Sequence, residues 1–145
     1  MVPTGRVLAA NRLLAALPAK DRKPLIARCD EVELAFGQVL DEPGNRIGHV
    51  YFPIDSYVSL VTKAAGEASL EVGLVGDEGM HGISLVLGVD VSPLHALVQG
   101  AGPAYRMSAN AFRRECAARP ALRRALNRYL YVLMSQLAQS AACVK

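Results

Sequence analysis

Cysteine is scarce and scattered in this chain. Three cysteines stand at positions 29, 116 and 143 of 145 residues. An odd, widely spaced set builds neither a disulfide framework nor a metal cluster. An iron–sulfur centre takes four thiolates and is excluded within the chain. Free thiols fit a reducing compartment, so a cytoplasmic location is expected. Long apolar runs are missing as well: no stretch nears the ~20 uninterrupted apolar residues of a membrane helix, and no membrane partner is expected. The mildly apolar N-terminus, MVPTGRVLAANRLLAALP, is interrupted by Asn11 and Arg12 and does not read as a signal peptide. Charge of one sign is not in large excess. A net charge of +3 is by itself too small to argue for nucleic acid.

Catalytic patterns are missing too. A small β-barrel can host a metal enzyme when two histidines one residue apart converge with a glutamate and a third histidine. Here His49, His81 and His95 are isolated, with no His-x-His anywhere. There is no Gly-x-Ser-x-Gly elbow, and Cys116 has no histidine near it in sequence. No enzyme, catalytic residue, bound metal or cofactor is expected. Internal repeats and low-complexity segments are absent.

What is there reads as one globular domain. The length suits a single core that buries roughly 70% of the unfolded surface. A composition 52% hydrophobic and 20% charged is ordinary for a folded protein. Residues 7–17 (VLAANRLLAAL) carry apolar positions at helical spacing and end at Pro18. Residues 21–29 predict a second short helix, with Asp21 as cap and Pro24 near the first turn. From Glu31 the period changes to two: Val32, Leu34 and Phe36 alternate with Glu31, Glu33 and Ala35. Glu42-Pro43-Gly44-Asn45 has the residues of a type II turn. Further strands are expected at 49–52, 56–62, 69–75, 95–98 and 104–107, with a turn at 65–67. Short strands with turn signals every eight to twelve residues indicate an all-β barrel or jelly roll.

The centre of the pattern is LEVGLVGDEGMHGISLVLGVDVSPLHALVQ, residues 70–99. A strand runs into glycines 73, 76, 79 and 82, a short apolar turn at 83–87 and a returning strand near Leu94. Such a bend can cradle an anion on backbone N–H groups, although the same glycines also serve as turn chemistry.

After Met107 the period becomes helical. Ser108 is a good N-cap for residues 109–118, and Pro120 opens a long helix over 121–144. Two seams step along it by four and three: Leu122, Leu126, Tyr129, Leu133, and Leu130, Met134, Leu137, Ala141. They fit a helix packed on its own domain along one stripe and on a partner along the other, or one wide stripe buried in the core. Its charged face is basic, with Arg113, Arg114, Arg119, Arg123, Arg124 and Arg128 against Glu115. That face is either solvated or a contact for nucleic acid or an acidic partner.

The order of these elements resembles the sensor domain of Crp/Fnr-type bacterial transcription regulators. The resemblance covers residues 11–145 and is carried by NRLLAALP at 11–18, HVYFPIDSYVSL at 49–60, EVGLVGDEGMHGISL at 71–85 and YLYVLMSQLAQSAAC at 129–143. It implies one cyclic-nucleotide-binding-like domain over residues 1–145: a mainly β double-stranded β-helix (jelly-roll β-roll) with flanking helices. N-terminal helices occupy 7–29, the β-roll 31–107 with its cassette at 76–96, and C-terminal helices 108–144. The long C-terminal helix would be a dimerisation helix, giving a homodimer through Leu122, Leu126, Tyr129, Leu130, Leu133, Met134, Leu137 and Ala141. The ligand pocket would involve Gly79, His81, Gly82, Ile83, Ser84, Leu94, His95 and Ala96.

Two departures from the family pattern matter. No helix-turn-helix fits after residue 144, so DNA would be reached only through a domain not present here. The chain is then either the sensor half of a regulator or a stand-alone ligand-binding or protein-interaction module. Secondly, cyclic-nucleotide-binding members carry Gly-Glu and Arg-Ser/Thr-Ala in the cassette, where this chain reads Gly82-Ile83 and Leu94-His95-Ala96. A buried phosphate without its arginine costs several kcal/mol. The base-reading hydroxyls of the last helix fall on Leu137 and Ala138. Cyclic AMP is therefore not expected to bind in the usual way. His81 and His95 could bind an anion or help hold a metal, or be satisfied structural residues. An apolar pocket would instead favour a hydrophobic small-molecule effector, or none.

Overall fold

A computed structural model describes residues 11–62 and 70–143, with side chains followed to residue 139. The expected turn at 65–67, the first residues of the 7–17 helix and the side chain of Ala141 lie outside the described residues.

The first helix is shorter than its spacing predicts. Asn11 is extended (φ −122°, ψ 119°) and caps α1 (Arg12–Ala15), its side chain accepting from Leu14 N–H. The same amide donates to Pro53 O at 2.8 Å and Gly79 O at 3.0 Å, tying α1 to the β-roll. A buried side chain that completes three bonds outcompetes its weak helix preference.

In α2 (Ala19–Ala27) the N-cap is Pro18, which makes no side-chain cap bond, and Asp21 lies inside the first turn. Asp21 is buried and pairs with Arg119, 98 residues away, at 3.3 Å. Arg119 also donates to Glu115 at 2.7 Å, and Glu115 meets Arg28 at 3.3 Å. The ion network thus overrides the local capping role expected for Asp21.

Seven strands follow among the described residues: β1 (Asp30–Leu34), β2 (Val39–Asp41), β3 (His49–Pro53), β4 (Tyr57–Thr62), β5 (Leu70–Val75), β6 (His95–Gly100) and β7 (Gly102–Ser108). They form two antiparallel sheets, ordered β1-β7-β3 and β2-β6-β4-β5. Leu34 ends β1 in the core, whereas Phe36, read as its continuation, is 74% exposed. A turn closed by Gln38 N–H to Ala35 O at 3.0 Å, with Gly37 at φ +82°, takes Phe36 out of the strand. The 42–45 turn forms as its residues dictate, with Gly44 at φ +86° and Asn45 N–H bonding Glu42 O at 3.1 Å.

A 3₁₀ helix (Ile83–Leu87) connects β5 and β6. Ser108 caps α3 (Ala109–Ala118), accepting from Ala111 N–H at 3.2 Å. Arg119 is extended and ends it, and Pro120 opens α4 (Pro120–Cys143). The main core lies where α3 and α4 cover the β-roll. Phe52, Phe112, Met80, Leu122, Leu126 and Leu133 pack there, with the Phe52 and Phe112 rings 6.4 Å apart and tilted. Among the described residues no helix is long and apolar enough to cross a membrane.

Candidate functional site

The cassette borders a small, partly open cavity of about 120 Å³ between the 3₁₀ helix, the approach to β6 and α4. Gly82 makes the entry turn at φ +103°, and a β-carbon there would press on the Val50 side chain. That close approach sets Ile83 and Ser84 at the cavity wall. Leu94 comes from the opposite side, and Leu133 and Leu137 from α4. Ile47 and Leu60 complete the apolar lining.

The expected pocket residues divide. His81, Gly82, Ile83, Ser84 and Leu94 line this cavity, and Gly79, His95 and Ala96 do not. Gly79 lies beneath the Tyr129 ring. His95 opens β6 half-buried and pairs with Val61. Ala96 is fully buried against Val58, Leu60 and Val75. His81 therefore lines this cavity without His95. Among the described residues no three His, Cys, Asp or Glu side chains gather as a metal requires.

His81 has a partner that its sequence surroundings do not announce. Its Nε2 meets Asp41 Oδ2 at 2.5 Å across 40 residues, with both side chains less than one-tenth exposed. The backbone positions it: His81 N–H and C=O both bond to Tyr51 of β3, at 2.8 and 3.1 Å. The strand pairing β2–β6 supplies Asp41. Asp41 also borders a second, polar cleft of about 270 Å³ lined by Glu42, Arg46, His49 and Tyr51. Sequence reading missed Asp41 because only sheet topology brings it to the cassette.

The two seams of α4 have different surroundings. Leu122, Leu126, Tyr129 and Leu133 are buried in the chain's own core, so that stripe is not open to a partner. Leu130 and Leu137 are half-buried. Met134 is 59% exposed, and Tyr131 beside it on the outer face is 72% exposed. Of the basic residues, Arg119 is committed to Glu115 and Asp21, and these carboxylates hold its guanidinium above the ordinary arginine range. Arg114, Arg123, Arg124 and Arg128 are exposed.

No family model matches the sequence, and no curated protein matches it. Solved structures do. The c-di-GMP responsive global regulator CLP of Xanthomonas campestris matches with TM-score 0.74 at 15% identity, covering 86% of this chain and 63% of that one. The catabolite activator protein of Thermus thermophilus gives TM-score 0.73 at 12% identity, over 91% of this chain and 62% of that one. The sensor domain of the transcriptional regulator DNR from Pseudomonas aeruginosa gives TM-score 0.68 at 17% identity, over 92% and 90%. The chain thus spans about 63% of the length of the first of these regulators and nearly all of the separate sensor domain. It has the jelly-roll fold of the cyclic-nucleotide-binding-type domains found in Crp/Fnr-type regulators.

Proposed function

We propose that the chain is the effector-sensing and dimerisation domain of a cytoplasmic Crp/Fnr-type transcription regulator, and that it does not take cyclic AMP in the usual way. The cavity lining carries the second half of this reading. On the resemblance, Ile83 and Leu94 stand where the cassette glutamate and arginine would be; both line the cavity, and no Lys or Arg lines it among the described residues. A cyclic phosphate there would be a desolvated anion without a cation, a cost of several kcal/mol. The cavity, at about 120 Å³, is also well below the ~300–1,000 Å³ typical of pockets for nucleotide-sized ligands.

The domain senses rather than catalyses on this reading. Leu133 and Leu137 line the cavity from α4, so a ligand would touch the long helix directly. Displacing that helix would reorient a helix-turn-helix that lies outside these residues, through which DNA is contacted. The dimer surface is assigned to the outer stripe of α4, where Asn127, Tyr131, Met134 and Ala138 are exposed at steps of four, three and four. Ala141 follows at the next step in sequence.

Calorimetry with cyclic AMP and cyclic GMP is expected to give no binding at micromolar ligand. Micromolar or tighter binding overturns the role given to Ile83 and Leu94. Sedimentation at high micromolar protein is expected to give a dimer, and a monomer there removes the dimerisation role. The reading frame past Lys145 is expected to encode two short helices joined by a tight turn. A stop codon in its place makes the chain a stand-alone module.

A further inference from the structure

We infer that a second pocket, between the 3₁₀ helix, α3 and the first turn of α4, binds a small organic anion: a carboxylate on an apolar body about the size of a benzene ring.

The pocket is open, about 210 Å³ in volume, and shares no lining residue with the cassette cavity. Leu85 and Val86 of the 3₁₀ helix and Phe112 and Ala117 of α3 make its apolar wall. Its charged lining among the described residues is Arg113 of α3 and Arg123 of α4. These two charges are poorly matched by the protein. Arg123 is exposed and has no carboxylate within 4 Å among the described residues. Arg113 donates to the neutral Asn110 side chain at 2.9 Å. Its acid, Asp90, lies 3.9 Å away and is shared with Arg46 at 3.8 Å. Glu115, the last acidic residue of the chain, is taken by Arg119 at 2.7 Å and Arg28 at 3.3 Å. Burial pushes the Cys116 thiol up and Arg123 pulls it back down, so the Arg123 charge reaches this wall, which Cys116 also lines.

This arrangement selects by charge and by size. A guanidinium offers five N–H donors in a fork that fits a carboxylate. A neutral ring would cover Leu85, Val86 and Phe112 but leave the two charges as they are. Inorganic phosphate would answer the charges and leave the apolar wall in water. A cation is repelled by both arginines. About 210 Å³ exceeds the ~150 Å³ of an engineered apolar cavity that binds benzene, which leaves room for a carboxylate beside the ring. It falls short of the ~300–1,000 Å³ typical of pockets for nucleotide-sized ligands.

The test is an NMR titration of the whole chain with benzoate, benzamide and inorganic phosphate, read on the methyl signals of Leu85, Val86 and Ala117. Benzoate is expected to shift them, with benzamide and phosphate each weaker by about tenfold. Arg123→Gln should weaken benzoate about tenfold and leave benzamide unchanged, because one charge-assisted bond is lost. Ala117→Trp, at an exposed position of α3, fills the apolar side with both arginines in place and should abolish benzoate binding. The absence of a benzoate shift at ~10 mM ligand overturns the inference. Equal affinity for benzoate and benzamide removes the role of the arginines, and phosphate binding as tight as benzoate removes that of the apolar wall; either result overturns it. So does benzoate binding that survives unaltered in Arg123→Gln or in Ala117→Trp. Shifts confined to the methyls of Ile83 and Leu94 would put the anion in the cassette cavity and overturn this site.

Discussion

The ring of Tyr129 on α4 lies directly over the backbone of Gly79, so closely that a β-carbon at residue 79 would overlap it. The Tyr129 hydroxyl donates to the neighbouring Met80 carbonyl at 3.3 Å. The long helix is thus fastened to the start of the cassette by an aromatic ring that only glycine can admit. Gly79→Ala should displace the ring and cost about 1–3 kcal/mol in urea unfolding, as overpacking does. In the background of Tyr129→Leu the same change should cost much less. Additive costs would mean that the two residues do not share this contact.

Alkaline pH should weaken the fold through buried acids that are neutral in the native state. Burial first, then Asp30 and Glu115 nearby, pushes the Cys29 thiol from its ordinary 9 up to about 12. Burial likewise raises Cys116 to about 11 and Tyr129 to about 12. The unfolded chain releases these protons first, the thiols near pH 9 and the phenol near 10. Their stability contribution is therefore complete below pH 9 and is lost as pH rises towards 12. Urea midpoints should fall from pH 9 upwards. Replacing Cys29 and Cys116 by Ala should flatten the curve between pH 9 and 11; an unchanged slope would assign the loss to other groups.

The Arg119 network should be costly to break from one side only. Asp21 and Glu115 side chains are each 10% exposed, so removing Arg119 strands Asp21 and leaves Glu115 with Arg28 alone. Arg119→Met is expected to destabilise by about 3 kcal/mol. Adding Asp21→Asn and Glu115→Gln should recover a large part of that loss. No recovery would show that the arginine acts by packing its alkyl stem.

The two stripes of α4 should respond differently to charge. Met134→Glu with Tyr131→Glu, on the exposed stripe, should dissociate the proposed dimer and leave the monomer's melting temperature within a few degrees. Leu126→Glu puts a carboxylate at a fully buried core position and should unfold the domain. Sedimentation and thermal melting on the same samples separate the outcomes. A dimer that survives the double substitution would place the interface elsewhere.

Much of the molecule was readable without coordinates. The change of period at Glu31 and again after Met107 marks the β-roll and its closing helices, because pleated and helical backbones expose their faces at different spacings. Ser108 and Pro120 act locally, so their helix starts followed from residue chemistry. That residues 83 and 94 are apolar was likewise evident from residue type alone. Local rules failed where distant groups competed for a residue. Asn11 left the helix for Pro53 and Gly79, and Asp21 gave up a cap for Arg119.

The sequence by itself determined the order of elements, the glycine-rich bend and the apolar residues at 83 and 94, because these depend on residue type and on neighbours a few residues apart. Only the tertiary structure decided that the seam of Leu122, Leu126, Tyr129 and Leu133 is core, while the other has Met134 exposed and Leu130 and Leu137 half-buried, since both carry the same four-and-three spacing. It alone joined His81 to Asp41, because that pair exists only once β2, β3 and the cassette are brought together by sheet pairing. Periodicity fixes which residues share a face. Burial, which depends on everything packed around that face, fixes what the face is for.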